Sequence, residues 1–150
     1  MFDVHKKTSS LVMVFCDGWP EITVSKEVAW DSLADIAVPL MDHIINKHYE
    51  PGGMIIRAMA AKLFAGERIT PHTDKHPSFH VAHRIHIPIT TNDHVRFTIA
   101  GRPFHLKVGK AYEVNNQSTH SVMNRGDEDR ITFIFDYMPP AIKSKAKSLS

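Results

Sequence analysis

The sequence predicts a mainly β fold, a sandwich or barrel that carries one N-terminal helical segment. Three observations predict it. From residue 54 onward, apolar and polar residues alternate in short stretches separated by turn residues, the pattern of closely spaced strands. Before them, residues 25–48 place apolar side chains at helical spacing. No further helical pattern interrupts the strand-like stretches, which argues against alternating βα units and a parallel sheet.

Near the N-terminus, "SSLVMVFCDG" is expected to be an edge strand ended by the Asp17-Gly18 turn. The next stretch sets Val28, Leu33, Ile36, Ala37, Leu40, Ile44 and Ile45 near one helical face, with Ser25 as the expected N-cap before Glu27. Pro39 is expected to kink or split that helix, and Pro51-Gly52-Gly53 ends the region. Strands then follow in "MIIRAMAAKLF", "AGERITPHTD", "HVAHRIHIPITT", "HVRFTIAG", "RPFHLKVGK", "AYEVNN", "STHSVMN" and "DRITFIFDYM". Gly66, Gly101, Gly109 and Gly126 stand at the breaks, where positive φ is often needed. We expect a single domain over residues 1–140, with its β core at about 54–138, and a basic flexible tail over 141–150 after Pro139-Pro140.

Composition removes several function classes. The net charge is only +2 and the basic residues are dispersed, so a nucleic-acid partner is unsupported. The one cysteine, Cys16, cannot form an internal disulfide, and the N-terminus lacks a basic stretch followed by a long apolar one. A cytoplasmic location is the expectation. No run approaches the roughly 18 apolar residues that a membrane span needs.

The chemistry gathers in "ITPHTDKHPSFHVAHRIHIPI", residues 69–89. His72 and Asp74 are two apart, so on a strand both point to one face and can converge on one ion. A His-x-Asp pair is a common accident and needs a third ligand. In "HRIHIPI", Arg84, His86 and Pro88 share one strand face while Ile85, Ile87 and Ile89 share the other. That strand is either an ordinary half-exposed one or the wall of a barrel whose basic interior holds an anion. Near the C-terminus, His120 precedes Arg130 by ten residues, and Arg130 opens a strand otherwise built for a core. A lone buried charge is costly, so Arg130 requires either its neighbours Glu128 and Asp129 or an anionic ligand.

Together these residues specify more than each does alone. His72, Asp74 and His120 compose a 2-His-1-carboxylate triad, which leaves open coordination positions and suits non-haem Fe(II) oxygen chemistry. A closed zinc site would want four protein ligands, usually with cysteine. An arginine beside such a centre offers a bidentate fork to a carboxylate. The combination describes a 2-oxoglutarate-dependent oxygenase.

From about residue 55 to 138, the order "R…AGERITPHTD…RIHIPITTND…GK…NNQSTHSVMNRGDEDRITFIFD" resembles the aspartyl/asparaginyl β-hydroxylase family, which includes bacterial free-proline hydroxylases. The resemblance implies a double-stranded β-helix, jelly-roll or cupin-like, that uses Fe(II), 2-oxoglutarate and O2. It implies hydroxylation of an unactivated carbon of an amino acid, peptidyl residue or lipid acyl chain, with release of succinate and CO2. His72, Asp74 and His120 match the family's iron ligands, and the presence of Asp74 sets the chain nearer the bacterial branch. Arg130 matches the arginine for the distal carboxylate of 2-oxoglutarate, and Arg84 with His86 matches an R-x-H pair that adds contacts to the cosubstrate. A serine that assists the distal carboxylate in some members falls near Ala61, so that hydrogen bond comes from elsewhere or is absent.

Two other readings predict different assays. A nucleic-acid demethylase shares His-x-Asp…His but carries two arginines well beyond the second histidine. A non-catalytic cupin-like module would use Arg84, His86 and Arg130 only to capture an anionic small ligand. The sequence assigns no role to His76, His80, His83, Asn115 or Asn116, and leaves the substrate and oligomeric state open.

Overall fold

The computed structural model describes residues 7–142 and 146–149. Eleven strands and one long helix make up its regular structure. In chain order they are β1 (Thr8–Asp17), β2 (Ile22–Lys26), α1 (Trp30–His48), β3 (Met54–Leu63), β4 (Arg68–His72) and β5 (His83–Thr90). β6 (Val95–Ile99), β7 (Arg102–Phe104), β8 (Tyr112–Glu113), β9 (His120–Asn124), β10 (Arg130–Met138) and β11 (Ala146–Leu149) complete them. A single 3-10 turn, Pro77–His80, lies between β4 and β5. All eight strands read from residues 54–138 are present.

The strands form two sheets, one ordered β11-β2-β1-β3-β10-β5-β8 and one ordered β4-β9-β6-β7. This is a double-stranded β-helix: a long central pair, β3 with β10, flanked by strands that come from both ends of the chain. Period-two alternation sorts the side chains between two cores. Ile85, Ile87, Phe133 and Phe135 face outward and join Met41, Ile44 and Ile45 of α1 in the larger cluster. Each such buried side chain contributes about 1.5–3 kcal/mol. The opposite face of the same strands turns toward the smaller sheet, where Leu63, Val95, Phe97 and Val122 form a second, smaller cluster. Arg84, His86, Arg130 and Thr132 therefore line the interior between the sheets.

The N-terminal region differs from expectation in instructive ways. β1 is not an edge strand, since it pairs antiparallel with both β2 and β3. Ser25 does not cap α1; it belongs to β2, opposite Phe15, and its hydroxyl donates to Glu27 Oε1. The "ITVSK" stretch is short and β-branched, and pairing with β1 decides its state over the local capping signal. The helix starts at Trp30, so Val28 precedes it and is 94% exposed, and Ile36 is 76% exposed on its outer side. α1 continues through Pro39 without interruption. Pro39 lies on the exposed side of the helix, while Ala37, Met41, Ile44 and Ile45 are buried in the turns on either side and hold them.

Two further differences concern turns and the tail. Gly126 has no positive φ; a Cβ there would meet Asn92 Oδ1 at 2.3 Å, so close approach rather than backbone conformation requires glycine. Of residues 141–150, residues 143–145 and 150 lie outside the described residues, while Ala146–Leu149 run parallel to β2 as β11 rather than as a tail. The open edge of β2 supplies the unpaired backbone groups that this strand uses. Among the described residues, no helix is long and apolar enough to cross a membrane.

Candidate metal centre and adjoining anion pocket

The centre is built from one cross-strand pair and the loop that follows it. β4 and β9 pair antiparallel with His72 directly opposite His120, so both rings project from the same face. Their centroids are 4.4 Å apart. Asp74, two residues beyond His72, turns back over the pair: its Oδ1 lies 3.8 Å from His72 Nε2 and 3.9 Å from His120 Nε2. One ligand atom from each of the three residues lies within 4.8 Å of the others, close enough to hold a single metal ion.

The backbone fixes which nitrogen each ring presents. His72 Nδ1 meets Thr70 O at 2.8 Å and His120 Nδ1 meets Ser118 O at 2.9 Å, in both cases the carbonyl two residues earlier. A carbonyl only accepts, so each neutral ring carries its proton on Nδ1 and leaves the Nε2 lone pair free for a cation. The loops that carry these candidate ligands are tied together, because the Asp74 amide donates to Asn116 O at 3.3 Å. Three protein ligands of this type leave coordination positions open, the arrangement of non-haem iron oxygenases rather than of a closed structural zinc site.

Arg84, expected to add contacts to the cosubstrate, is held by two carboxylates of the chain itself. Its Nε and Nη2 hold both oxygens of Asp136, at 2.7 and 2.9 Å, and its Nη1 donates to Asp74 Oδ2 at 3.2 Å. Burial pulls its guanidinium down, but hydrogen bonding and charge from Asp136, with the charge of Asp74, raise it overall. Arg57 approaches the same Asp136 from β3, at 3.3 Å, and its Nη2 donates to Ser78 Oγ at 2.8 Å. Phe79 of the 3-10 turn lies against both guanidiniums, 4.1 Å from Arg57 and 4.6 Å from Arg84. Sequence reasoning passed over Arg57 and the pairing role of Asp136. The signal was present, since "MIIRAMA" sets an arginine in an otherwise apolar strand, as "DRITFIF" does.

His86 and Arg130 stand deeper, between the sheets. His86 is 6% exposed, packs edge-on against Phe97, and its Nδ1 has no hydrogen-bond partner among the described residues. Burial first, then the neighbouring cations Arg84 and Arg130 with His120, hold its imidazole well below the usual range, so it is neutral at physiological pH. Arg130 is 5% exposed, and burial alone lowers its guanidinium to about 10. The sequence offered Glu128 and Asp129 as its counter-charges, but Asp129 Oδ1 instead accepts from the Ala65 amide at 2.8 Å. No carboxylate among the described residues lies within ion-pair distance of Arg130. It opens onto a narrow cavity shared with Thr132, Phe97, Leu106 and Val122.

The remaining histidines have local duties. His76 caps the 3-10 turn, its Nδ1 meeting Ser78 Oγ at 2.7 Å and accepting from Ser78 N at 3.2 Å. His83 points away from the centre and pairs with Glu113, its ring tilted against that of Tyr49. His105 Nδ1 meets Val95 O at 3.1 Å, and His80 and His94 are exposed. Asn115 makes a turn, accepting from the amides of Gln117 and Ser118. Asn116 is 4% exposed, and its Nδ2, beside the Asp74 loop, has no partner among the described residues.

The sequence pattern of the family described as Aspartyl/Asparaginyl beta-hydroxylase matches residues 4–140. The chain belongs to that family. Among solved structures, this hydroxylase-family chain is similar to an oxidoreductase of the 2OG-Fe(II) oxygenase family from Burkholderia pseudomallei, with a TM-score of 0.65 at 14% identity. That likeness covers 91% of this chain and 70% of the other. A cupin domain from Schizosaccharomyces pombe overlaps over 64% of this chain and 63% of its own, with a TM-score of 0.47 at 14% identity. A predicted oxalate decarboxylase from Thermotoga maritima overlaps over 56% and 67%, at 0.45 and 17%. Among curated proteins, none matches this sequence.

Proposed function

We propose that this chain is an Fe(II)- and 2-oxoglutarate-dependent hydroxylase whose iron is held by His72, Asp74 and His120. The observation that carries the reading is the juxtaposition of that triad with a buried arginine, Arg130, that has no carboxylate partner among the described residues. A triad alone fits several metals. A triad beside the Arg130 cavity fits a metal that works with a dicarboxylate. The unpartnered His86 Nδ1 and Thr132 Oγ1 in the same interior support it, because buried polar atoms are normally satisfied and a ligand would satisfy them.

Fe(II) bound with 2-oxoglutarate supplies the activation of O2 that couples oxidative decarboxylation, yielding succinate and CO2, to insertion of a hydroxyl group. The protein's share is positioning. Arg130 fixes the far carboxylate and so the direction from which the cosubstrate approaches the triad. Arg84, clamped by Asp136, orients Asp74 through its second oxygen, and the Thr70 and Ser118 carbonyls orient the two rings. Phe97, Leu106 and Val122 keep water from the arginine and strengthen its hold on an anion. The substrate is an amino acid or a peptidyl residue of a peptide or protein, as in the family.

The test is a succinate-release screen with Fe(II), ascorbate and 2-oxoglutarate across free amino acids and peptides, followed by mass spectrometry for a gain of one oxygen. Turnover with peptides alone would remove the free-amino-acid option. Protein that binds neither Fe(II) nor 2-oxoglutarate would sink the oxygenase reading, and binding of the dicarboxylate without turnover would favour a cupin-like binding module.

A further inference from the structure

We propose that the outer face of the smaller sheet is a docking surface for an extended acidic peptide segment of another protein, gripped by Arg68, Arg96 and Arg125. This face is turned away from the metal centre, and the inference does not depend on the hydroxylase reading.

Strand parity builds the face. In β9, Val122 points into the smaller cluster, so Ser121 and Met123 point out; in β6, Val95 and Phe97 point in, so Arg96 and Thr98 point out. The register then sets Arg68 of β4 on one side of Met123 and Arg96 of β6 on the other. Two strand spacings, about 10 Å, separate these two arginines. Arg125 follows Met123 on the same side: its Nε donates to Met123 Sδ at 2.8 Å, and its amide donates to His94 O at 3.2 Å. His94, Arg96, Thr98, Ser121, Met123 and Arg125 line an open concavity of about 420 Å³.

These guanidiniums lack a counter-charge. All three arginines are exposed, and none lies within ion-pair distance of a carboxylate among the described residues. Arg96 uses Nη1 on the Asp93 and Val95 carbonyls, at 2.7 and 2.8 Å, and Arg125 gives Nε to a thioether, a weak acceptor. Surface charges are ordinarily interspersed in sign, whereas a cluster of one sign across three strands attracts an anion. An acidic peptide suits it better than a nucleic acid. In a polyproline II chain, side chains three residues apart project the same way about 9 Å apart, close to the span from Arg68 to Arg96. Each carboxylate can meet a guanidinium in two parallel hydrogen bonds, and Met123 between them offers an adaptable apolar contact. No aromatic ring lines the concavity for a base to stack on.

The test is fluorescence anisotropy with the full chain and a labelled peptide that carries glutamate at every third position, compared with its glutamine counterpart and with a labelled single-stranded RNA. We expect the parent to bind the glutamate peptide about tenfold or more tightly than the glutamine peptide, and to lose that affinity as salt rises. Arg68→Gln, Arg96→Gln and Arg125→Gln should each weaken it about threefold, and the triple variant about thirtyfold. Lys47→Gln removes the same charge at the exposed end of α1 and should bind like the parent.

Equal affinity of the triple variant and the parent for the glutamate peptide overturns the proposal, as does a parent that binds neither peptide or both alike. A loss in Lys47→Gln as large as in Arg96→Gln also overturns it, because it marks net charge rather than a built face. RNA bound more tightly than the glutamate peptide, and released by the triple substitution, overturns it in favour of a nucleic-acid surface. Each of these outcomes leaves the hydroxylase reading standing.

Discussion

Arg84 joins a metal-facing carboxylate to a buried one: it donates to Asp74 Oδ2 at 3.2 Å while clamping Asp136 at 2.7 and 2.9 Å. Asp136 is fully buried and also holds Arg57. One carboxylate thus pairs with two guanidiniums and, through Arg84, bears on the aim of Asp74. Asp136→Asn should therefore cost about 3–5 kcal/mol of stability, because it leaves buried charge unpaired. It should also weaken metal binding by about 10- to 100-fold. Urea denaturation and a competitive chelator titration would measure the two; a normal metal affinity in a folded variant would contradict the orienting role.

The triad predicts a sharp division among the histidines. His120→Ala or Asp74→Ala should abolish both stoichiometric Fe(II) binding and succinate release. His76→Ala should retain metal, since His76 only caps the 3-10 turn at Ser78. Metal content after desalting distinguishes the two groups, and equal iron in all three variants would displace the centre from these residues.

Arg130 is a liability when no ligand is bound. A cation with no carboxylate partner among the described residues, pulled down to about 10 by burial, destabilises the empty fold. Arg130→Met should raise the stability of the ligand-free protein by about 1–3 kcal/mol while eliminating 2-oxoglutarate binding. Thermal melts with and without 2-oxoglutarate would show the parent shifting on ligand addition and the variant not shifting. A less stable Arg130→Met would mean that the guanidinium has a structural partner.

Burial first, then the charge and hydrogen bond of Glu113, push the Tyr49 phenol up to about 12. An unfolded tyrosine titrates near 10, so the unfolded chain loses this proton first as pH rises. The Tyr49 contribution is thus complete below about pH 10 and is lost between about 10 and 12. Ultraviolet titration should show one phenolate appearing at the upper end of that range, absent in Tyr49→Phe. An unaltered profile in the variant would place the shift on another residue.

Much of the fold was legible because strand parity is a local property. Eight stretches from residues 54–138 read as strands and are strands, and the split of Ile85 and Ile87 from Arg84 and His86 holds in three dimensions. The N-terminal region was less legible. There Ser25 and the "ITVSK" stretch carry a helix-capping signal, and pairing with β1 overrides it.

By itself the sequence determined the residue types and the faces on which they stand: His72 and Asp74 two apart, Arg84 with His86, and Arg130 ten residues beyond His120. Only the tertiary structure decided their partners. The β5–β10 register sets Asp136 opposite Arg84, which makes that arginine an orienting group, and the β3–β10 register sets Ala61 opposite Thr132, which leaves a hydroxyl free beside Arg130. The reason is physical: which face a side chain occupies follows from a two-residue period in one strand, whereas which charge it meets follows from the alignment of strands tens of residues apart.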